Sequence, residues 1–238
     1  MANHWLTASQ PLVIGHRGAS GDAPENTLAA FRLARAQGAD GVEYDVHLAS
    51  DGVPVVIHDL TLERTAGIAG RVVDMTSEQL GKVDVGDGEP VPTLTAVLSE
   101  LDDDCLHNIE LKRGSGSADE IVTTIADLLA QHPNLHENIV VSSFDAELLA
   151  AAQQTFSAPI ALAALIDPEE PSIPADFAGR IVHPYYLAVD ADFMSWAAEK
   201  AYRVNVWTLD SAERAQRLVA MGVSAVITNY PAIIRAAL

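Results

Sequence analysis

The sequence predicts an α/β protein folded as a closed barrel of eight parallel strands, and three observations lead there. Eight short apolar runs recur in strand-then-helix order, which favours closure over an open sheet. The 238 residues suit one large core, and barrels of this kind commonly form a single domain at that length. Finally, the side chains able to do chemistry gather at the ends of the apolar runs, where α/β proteins keep their sites.

Residues 12–15 form the first run. Residues 27–37 carry Leu28, Phe31 and Ala34 at helical spacing, and Gly38 is a natural stop. A second strand is expected over 40–46, then a turn at Ser50-Asp51-Gly52 and a β-branched arm over 53–57 that delivers His58. From 60 to 92 the periodicity weakens and glycines are scattered. That stretch is too long for an ordinary connection, so it reads as a small inserted subdomain after strand 2, over the mouth of the site, within one domain spanning 1–238. Inside it, Thr76 and Gln79 have capping-box spacing.

Beyond 92 the alternation is regular. Strands are expected over 106–111, 139–142, 159–165, 181–183, 204–207 and 225–228. Helices are expected over 93–101, from the Ser117 and Glu120 cap to about 131, and over 146–153, 191–200, 212–221 and 232–238. The Pro- and Glu-rich stretch after 165 lacks the pattern of a full helix.

Composition narrows the function classes. A hydrophobic fraction of 49% with 20% charged residues belongs to a globular protein, not a disordered one. Fourteen basic against 33 acidic residues give a formal charge of −19, which disfavours nucleic-acid binding and stable association with acidic membranes. A site for an anionic substrate must therefore carry its own positive charge. No apolar run reaches bilayer length and the first ten residues lack signal-peptide character, so a cytoplasmic location is expected. The single Cys105 reads as a buried structural thiol, and oligomeric state is not legible.

The densest chemistry lies between Ile14 and Asp59. His16, Arg17, Glu43, Asp45 and His58 fall in one βαβ-like segment, each at or near the end of an apolar run. Strand alternation points Glu43 and Asp45 the same way. Two adjacent buried carboxylates repel each other and resist desolvation, so a divalent metal between them is the first hypothesis, beside a raised-pKa pair or two surface residues. Glu110 and Lys112 share a face at the end of another strand, and Trp207 ends a third. In a barrel these ends ring one mouth.

The motifs His16-Arg17-Gly18, Pro24-Glu25-Asn26-Thr27, Glu43-Tyr44-Asp45, Asp51-Gly52, His58-Asp59, Glu63-Arg64-Thr65, Glu110-Leu111-Lys112, Val206-Trp207-Thr208 and Tyr230-Pro231 resemble the glycerophosphodiester phosphodiesterases. The resemblance runs in order over nearly the whole chain. It implies a TIM barrel that hydrolyses small-molecule glycerophosphodiesters to glycerol 3-phosphate and an alcohol. It also implies Glu43, Asp45 and Glu110 as metal ligands, His16 and His58 as general acid and base, Arg17 and Lys112 as phosphate contacts, and Trp207 as a wall against the glycerol. Three carboxylates without clustered Cys or His favour a hard ion, Mg²⁺ or Ca²⁺. The departures are Ala49, Ala66, Asp210 and Asn229, and none removes a proposed reacting group.

Other side chains read more plainly. His4, His107, His132 and His136 are expected at the surface or as caps, and Arg64 and Arg113 as solvated or loop-ordering groups. Asp59 orients its neighbour or caps a turn. His47 is expected to point away from Asp45 and is left out. The competing functions are a phospholipase-like barrel acting on lipids and a phosphate-binding barrel without catalysis.

Overall fold

Strand alternation decides which side chains fill the barrel and which meet the helices. A computed structural model describes residues 2–114, 116–169 and 173–238. Its strands are β1 (Leu12–His16), β2 (Gly41–Leu48), β3 (Pro54–Val56), β4 (Leu106–Leu111), β5 (Ile139–Ser143), β6 (Ala161–Ile166), β7 (Ile181–Pro184), β8 (Arg203–Val206) and β9 (Ala225–Thr228). Eight of them pair in parallel around a ring, and β1 closes it by pairing with both β2 and β9. The fold is a TIM barrel. The ninth strand, β3, is an antiparallel arm on β2, with Val56 opposite Val46.

On β2, Val42, Tyr44 and Val46 face outward and pack with Phe31, Leu94, Ile109 and Ile125 in the layer between barrel and helices. Glu43, Asp45 and His47 take the inner face. On β4 the same rule sends Ile109 and Leu111 outward, leaving Leu106, Asn108 and Glu110 inside. The barrel interior is apolar at the N-terminal strand ends, where Ile14, Val140, Ala163, Ile181 and Ala225 share one cluster with Trp5. Trp5 is 1% exposed and its indole N–H donates to the Asn138 carbonyl at 2.8 Å. Burying such a ring contributes on the order of 3 kcal/mol. With that end plugged, the polar residues of the interior lie toward the opposite mouth.

Side-chain caps turn several strand exits into helix entries. Thr27, Thr93, Ser117, Asp145, Asp190 and Ser211 each accept a main-chain N–H in the first turn of the following helix, which holds the intervening loops short. Between β6 and β7 the described residues contain no helix; part of that stretch, 170–172, lies outside them. The strand expected from 159 begins at Ala161, since Pro159 has no N–H for the ladder. Trp207 sits one residue past β8, bridging Tyr185.

The segment 60–92 contains two four-residue helices, Glu63–Ala66 and Ser77–Leu80, and the Thr76–Gln79 capping box forms. Leu62, Val72, Leu80, Val83 and Val91 pack there with Val55 and Ile57 of the β3 arm. No helix among the described residues is long and apolar enough to cross a membrane.

Candidate active site

Three buried carboxylates lie at the mouth end of β2 and β4. Glu43, Asp45 and Glu110 are 4%, 1% and 7% exposed, and each offers an oxygen within 4.8 Å of the other two. The parallel register that sets Asp45 beside Glu110 makes this proximity a consequence of strand pairing. Burial, reinforced by Asp45 and Glu110, pushes the Glu43 carboxyl well above its ordinary range. Burial, opposed by Lys112 and helped by Asp45, pushes Glu110 up to about 7. Burial also works against the charge of Asp45, yet Lys112 and Arg17 together hold that carboxyl well below the usual range.

The cations come from the ends of β4 and β1. Lys112 Nζ lies 2.9 Å from Asp45 Oδ1 and also contacts Glu110 Oε1. Arg17 reaches Glu25 at 3.0 Å and Asp45 at 3.2 Å, and its main-chain N–H donates to Glu43 at 3.0 Å. Arg17 has φ 55, in the left-handed region, and Gly18 follows at φ 86. A Cβ at Gly18 would stand 2.6 Å from the Ala30 main chain. Gly18→Ala is therefore expected to destabilise the fold by about 1–3 kcal/mol, read as a lower midpoint in urea, while a distant surface substitution leaves it unmoved.

Two histidines face this charge cluster, each oriented through Nδ1. His58 Nδ1 donates to Asp59 at 2.7 Å. Asp59 is gripped by Arg64, which also makes two bonds to Glu25 at 2.7 and 2.8 Å. The chain His58, Asp59, Arg64, Glu25, Arg17 is thus continuous. His16 Nδ1 donates to the Asn229 side-chain carbonyl at 2.8 Å, and its Nε2 is 4.0 Å from Glu43. Burial, with Arg17 nearby, lowers His16 to about 4. His16, Arg17, Glu43, His58, Glu110 and Lys112 line one cavity of about 180 Å³, walled on its other side by Phe144, Leu165, Trp207 and Ile227.

The donor set fits a hard divalent cation. Asp45 Oδ1 and Glu110 Oε1 are buried without a hydrogen bond of good geometry, their contact with Lys112 being ionic. Two positive groups face three carboxylates, and Arg17 is shared with Glu25. The three carboxyl groups offer all-oxygen ligands, and a bound cation would favour the charged forms of Glu43 and Glu110 that burial disfavours.

The arrangement matches a known family. A family model described as the glycerophosphoryl diester phosphodiesterase family matches residues 16–233. The chain belongs to that family. A glycerophosphodiester phosphodiesterase of Caldanaerobacter subterraneus subsp. tengcongensis is 34% identical over 238 residues, covering 92% of this chain and 94% of that protein. Glycerophosphodiester phosphodiesterase 1 of Mus musculus is 40% identical over 153 residues, covering 60% of this chain and 45% of its own. A phosphodiesterase from Oleispira antarctica, solved with the product sn-glycerol-3-phosphate, superposes with a TM-score of 0.86 at 31% identity over 96% of both chains.

Several groups in this phosphodiesterase-family site differ from the sequence expectation. His47 does not point away from Asp45. Two residues along a strand is one full alternation, so it shares the inner face of Glu43 and Asp45 and its Nε2 lies 3.0 Å from the His58 carbonyl. His107 is not at the surface: it is fully buried on the outer face of β4, with Tyr44 Oη 3.1 Å from its Nδ1. Asp210, a departure from the family pattern in sequence, has a defined place in the site. Its carboxylate accepts from the Asn229 main-chain and side-chain N–H groups and from Thr228 Oγ1, fixing the amide that orients His16. A carboxylate immediately before the helix cap Ser211 is the only hint of this in the sequence. Arg113 orders a loop, binding Asp145 and Glu147, and Cys105 is buried as expected. The Trp207 indole N–H donates to the His183 carbonyl at 2.7 Å, turning its ring edge toward the strand and leaving its ring on the cavity wall beside Phe144.

Proposed function

We propose that the chain hydrolyses glycerophosphodiesters to sn-glycerol 3-phosphate and an alcohol, using a divalent cation, Mg²⁺ or Ca²⁺, held by Glu43, Asp45 and Glu110. The observation that carries this reading is the convergence, around one cavity, of two Nδ1-anchored histidines, two cationic side chains and the carboxylates of Glu43 and Glu110, with Asp45 buried within 4.8 Å of both. When bound, the cation supplies Lewis-acid neutralisation of the phosphoryl oxygens. Arg17 and Lys112 add fixed positive charge to the same oxygens, where it counts most as the transition state forms.

His16 and His58 form the proton-transfer pair. Anchoring Nδ1 leaves Nε2 of each ring as the nitrogen for proton transfer, that of His16 within 3.5 Å of Thr208 Oγ1. One ring removes the proton of the attacking hydroxyl, and the other delivers a proton to the departing alkoxide. Phe144 and Trp207 offer the apolar surface on which the carbon chain of the glycerol rests. We read residues 60–92 as a small inserted subdomain over the mouth. Their separate apolar cluster supports this, as does the reach of Arg64 to Glu25 and Asp59.

The Asn229 contact makes a pH prediction. An amide gives His16 no charge to balance a proton, whereas a carboxylate would. Asn229→Asp, combined with Asp210→Asn so that the new carboxylate does not face Asp210 at 2.8 Å, is expected to raise the pKa of His16 from its lowered position and move the limb of the pH–rate profile that reports this ring to higher pH. Superimposable profiles for the two proteins would remove His16 from the reaction. The function itself is tested by phosphorus NMR of the protein with glycerophosphocholine, glycerophosphoethanolamine and glycerophosphoinositol. The appearance of glycerol 3-phosphate supports the reading; phosphocholine as product would assign cleavage to the wrong ester bond.

A further inference from the structure

The β3 arm carries His58 beyond the last rung of its ladder. Val46 pairs with Val56, and the Ile57 N–H donates to the Asp45 carbonyl at 3.0 Å. At His58 the chain leaves the sheet. Among the described residues, the main chain of His58 has one hydrogen-bond partner, and it is a side chain: His47, whose Nε2 lies 3.0 Å from the His58 carbonyl. A carbonyl only accepts, so His47 carries its proton on Nε2. Its Nδ1 then has no proton and faces Gly114, where a Cβ would come within 3.2 Å. His47 is 2% exposed, and this packing leaves its ring little room to turn.

Glu43, Asp45 and His47 are alternate residues of one strand, so they form a rigid row. The first two belong to the carboxylate cluster and the third grips the segment that carries His58. The Asp59 bond fixes the rotation of the His58 ring, but it ties His58 to the barrel only indirectly, through the side chains of Arg64 and Glu25. The bond from His47 ties the His58 carbonyl directly to β2, one residue beyond the rung from Ile57 to Asp45.

We propose that His47 is a positioning residue for the phosphodiester reaction, using its buried ring N–H to hold the main chain of His58 in register with Glu43 and Asp45. The inference rests on the proposed role of His58. Misplacement of a reacting group by about 1 Å can cost about 10²-fold in rate. The effect falls on turnover, because the groups that hold the phosphate, Arg17 and Lys112, are anchored elsewhere.

The test compares His47→Gln with His47→Met, two side chains of similar length and volume of which only Gln has a terminal N–H. Wild type and both variants are assayed for glycerol 3-phosphate release from glycerophosphocholine. His47→Met is expected to lose about 10- to 100-fold in kcat with KM within about threefold, and His47→Gln to recover to within about fivefold of wild type. If His47→Met does not fold, His47→Phe takes its place against His47→Gln. Equal kcat in the Gln and apolar variants overturns the positioning role, as does a loss confined to KM. An inactive wild type would instead overturn the proposed function, and this inference with it.

Discussion

His16→Ala and His58→Ala, made singly, are expected to lower kcat for a glycerophosphodiester by about 10²–10⁴-fold each. Neither ring is among the three carboxylates, and neither holds the core together: His16 lies at the edge of the cavity and His58 on the exposed side of the arm. Both variants should therefore keep cooperative unfolding and their affinity for glycerol 3-phosphate, measured by calorimetry. The double variant should be little worse than either single one, because two groups that act in one proton circuit do not contribute additively. Independent, multiplying losses would mean that the histidines serve separate steps. Retained turnover in either single variant would transfer proton transfer to another group.

The second large effect is proton-linked cation binding. Glu110 is pushed up to about 7 in the folded protein, against an ordinary value of 4.5. Between those values the metal-free folded state holds a proton that the unfolded chain has released. Its stability accordingly falls as pH rises through that window. A cation needs the carboxylates, so its binding releases protons from Glu110 and from Glu43, which burial also raises, and its affinity should climb by at least about tenfold per pH unit below about 7. At about 100 times Kd the ion should add about 2.7 kcal/mol of stability, a rise of roughly 5–10 °C in Tm for a chain of this size. Titration of Mg²⁺ and Ca²⁺ at pH 5.5, 6.5 and 7.5 reads this slope. Glu110→Gln should make it shallower by about one proton and weaken binding. An affinity independent of pH across that range would mean that Glu110 is not a ligand.

Much of this site is local in sequence, which is why it is legible there. The alternation of Glu43 and Asp45, the β-branched arm ending at His58 and the Glu110–Lys112 pair are each set within a few residues, and counting strand-like runs was enough to reach a closed barrel. The same rule, applied fully, also places His47 on the inner face; its neighbourhood is a matter of arithmetic, though its partner carbonyl on the returning arm is not. What sequence does not disclose are contacts between distant segments. Asn229 meets His16 across 213 positions and Arg64 meets Glu25 across 39. Both depend on barrel closure and on how the 60–92 segment folds back, and its short helices leave little periodicity to read. His107 shows the opposite case, a polar residue in an apolar run whose burial is made tolerable by one tyrosine hydroxyl.

The most direct measurement is glycerol 3-phosphate release by protein stripped with EDTA, before and after one divalent cation is restored. No turnover when stripped, and recovery with Mg²⁺ or Ca²⁺ that Asp45→Asn abolishes, is the predicted result. Full turnover by stripped protein, or recovery unaffected by that substitution, would contradict a reaction centred on Glu43, Asp45 and Glu110.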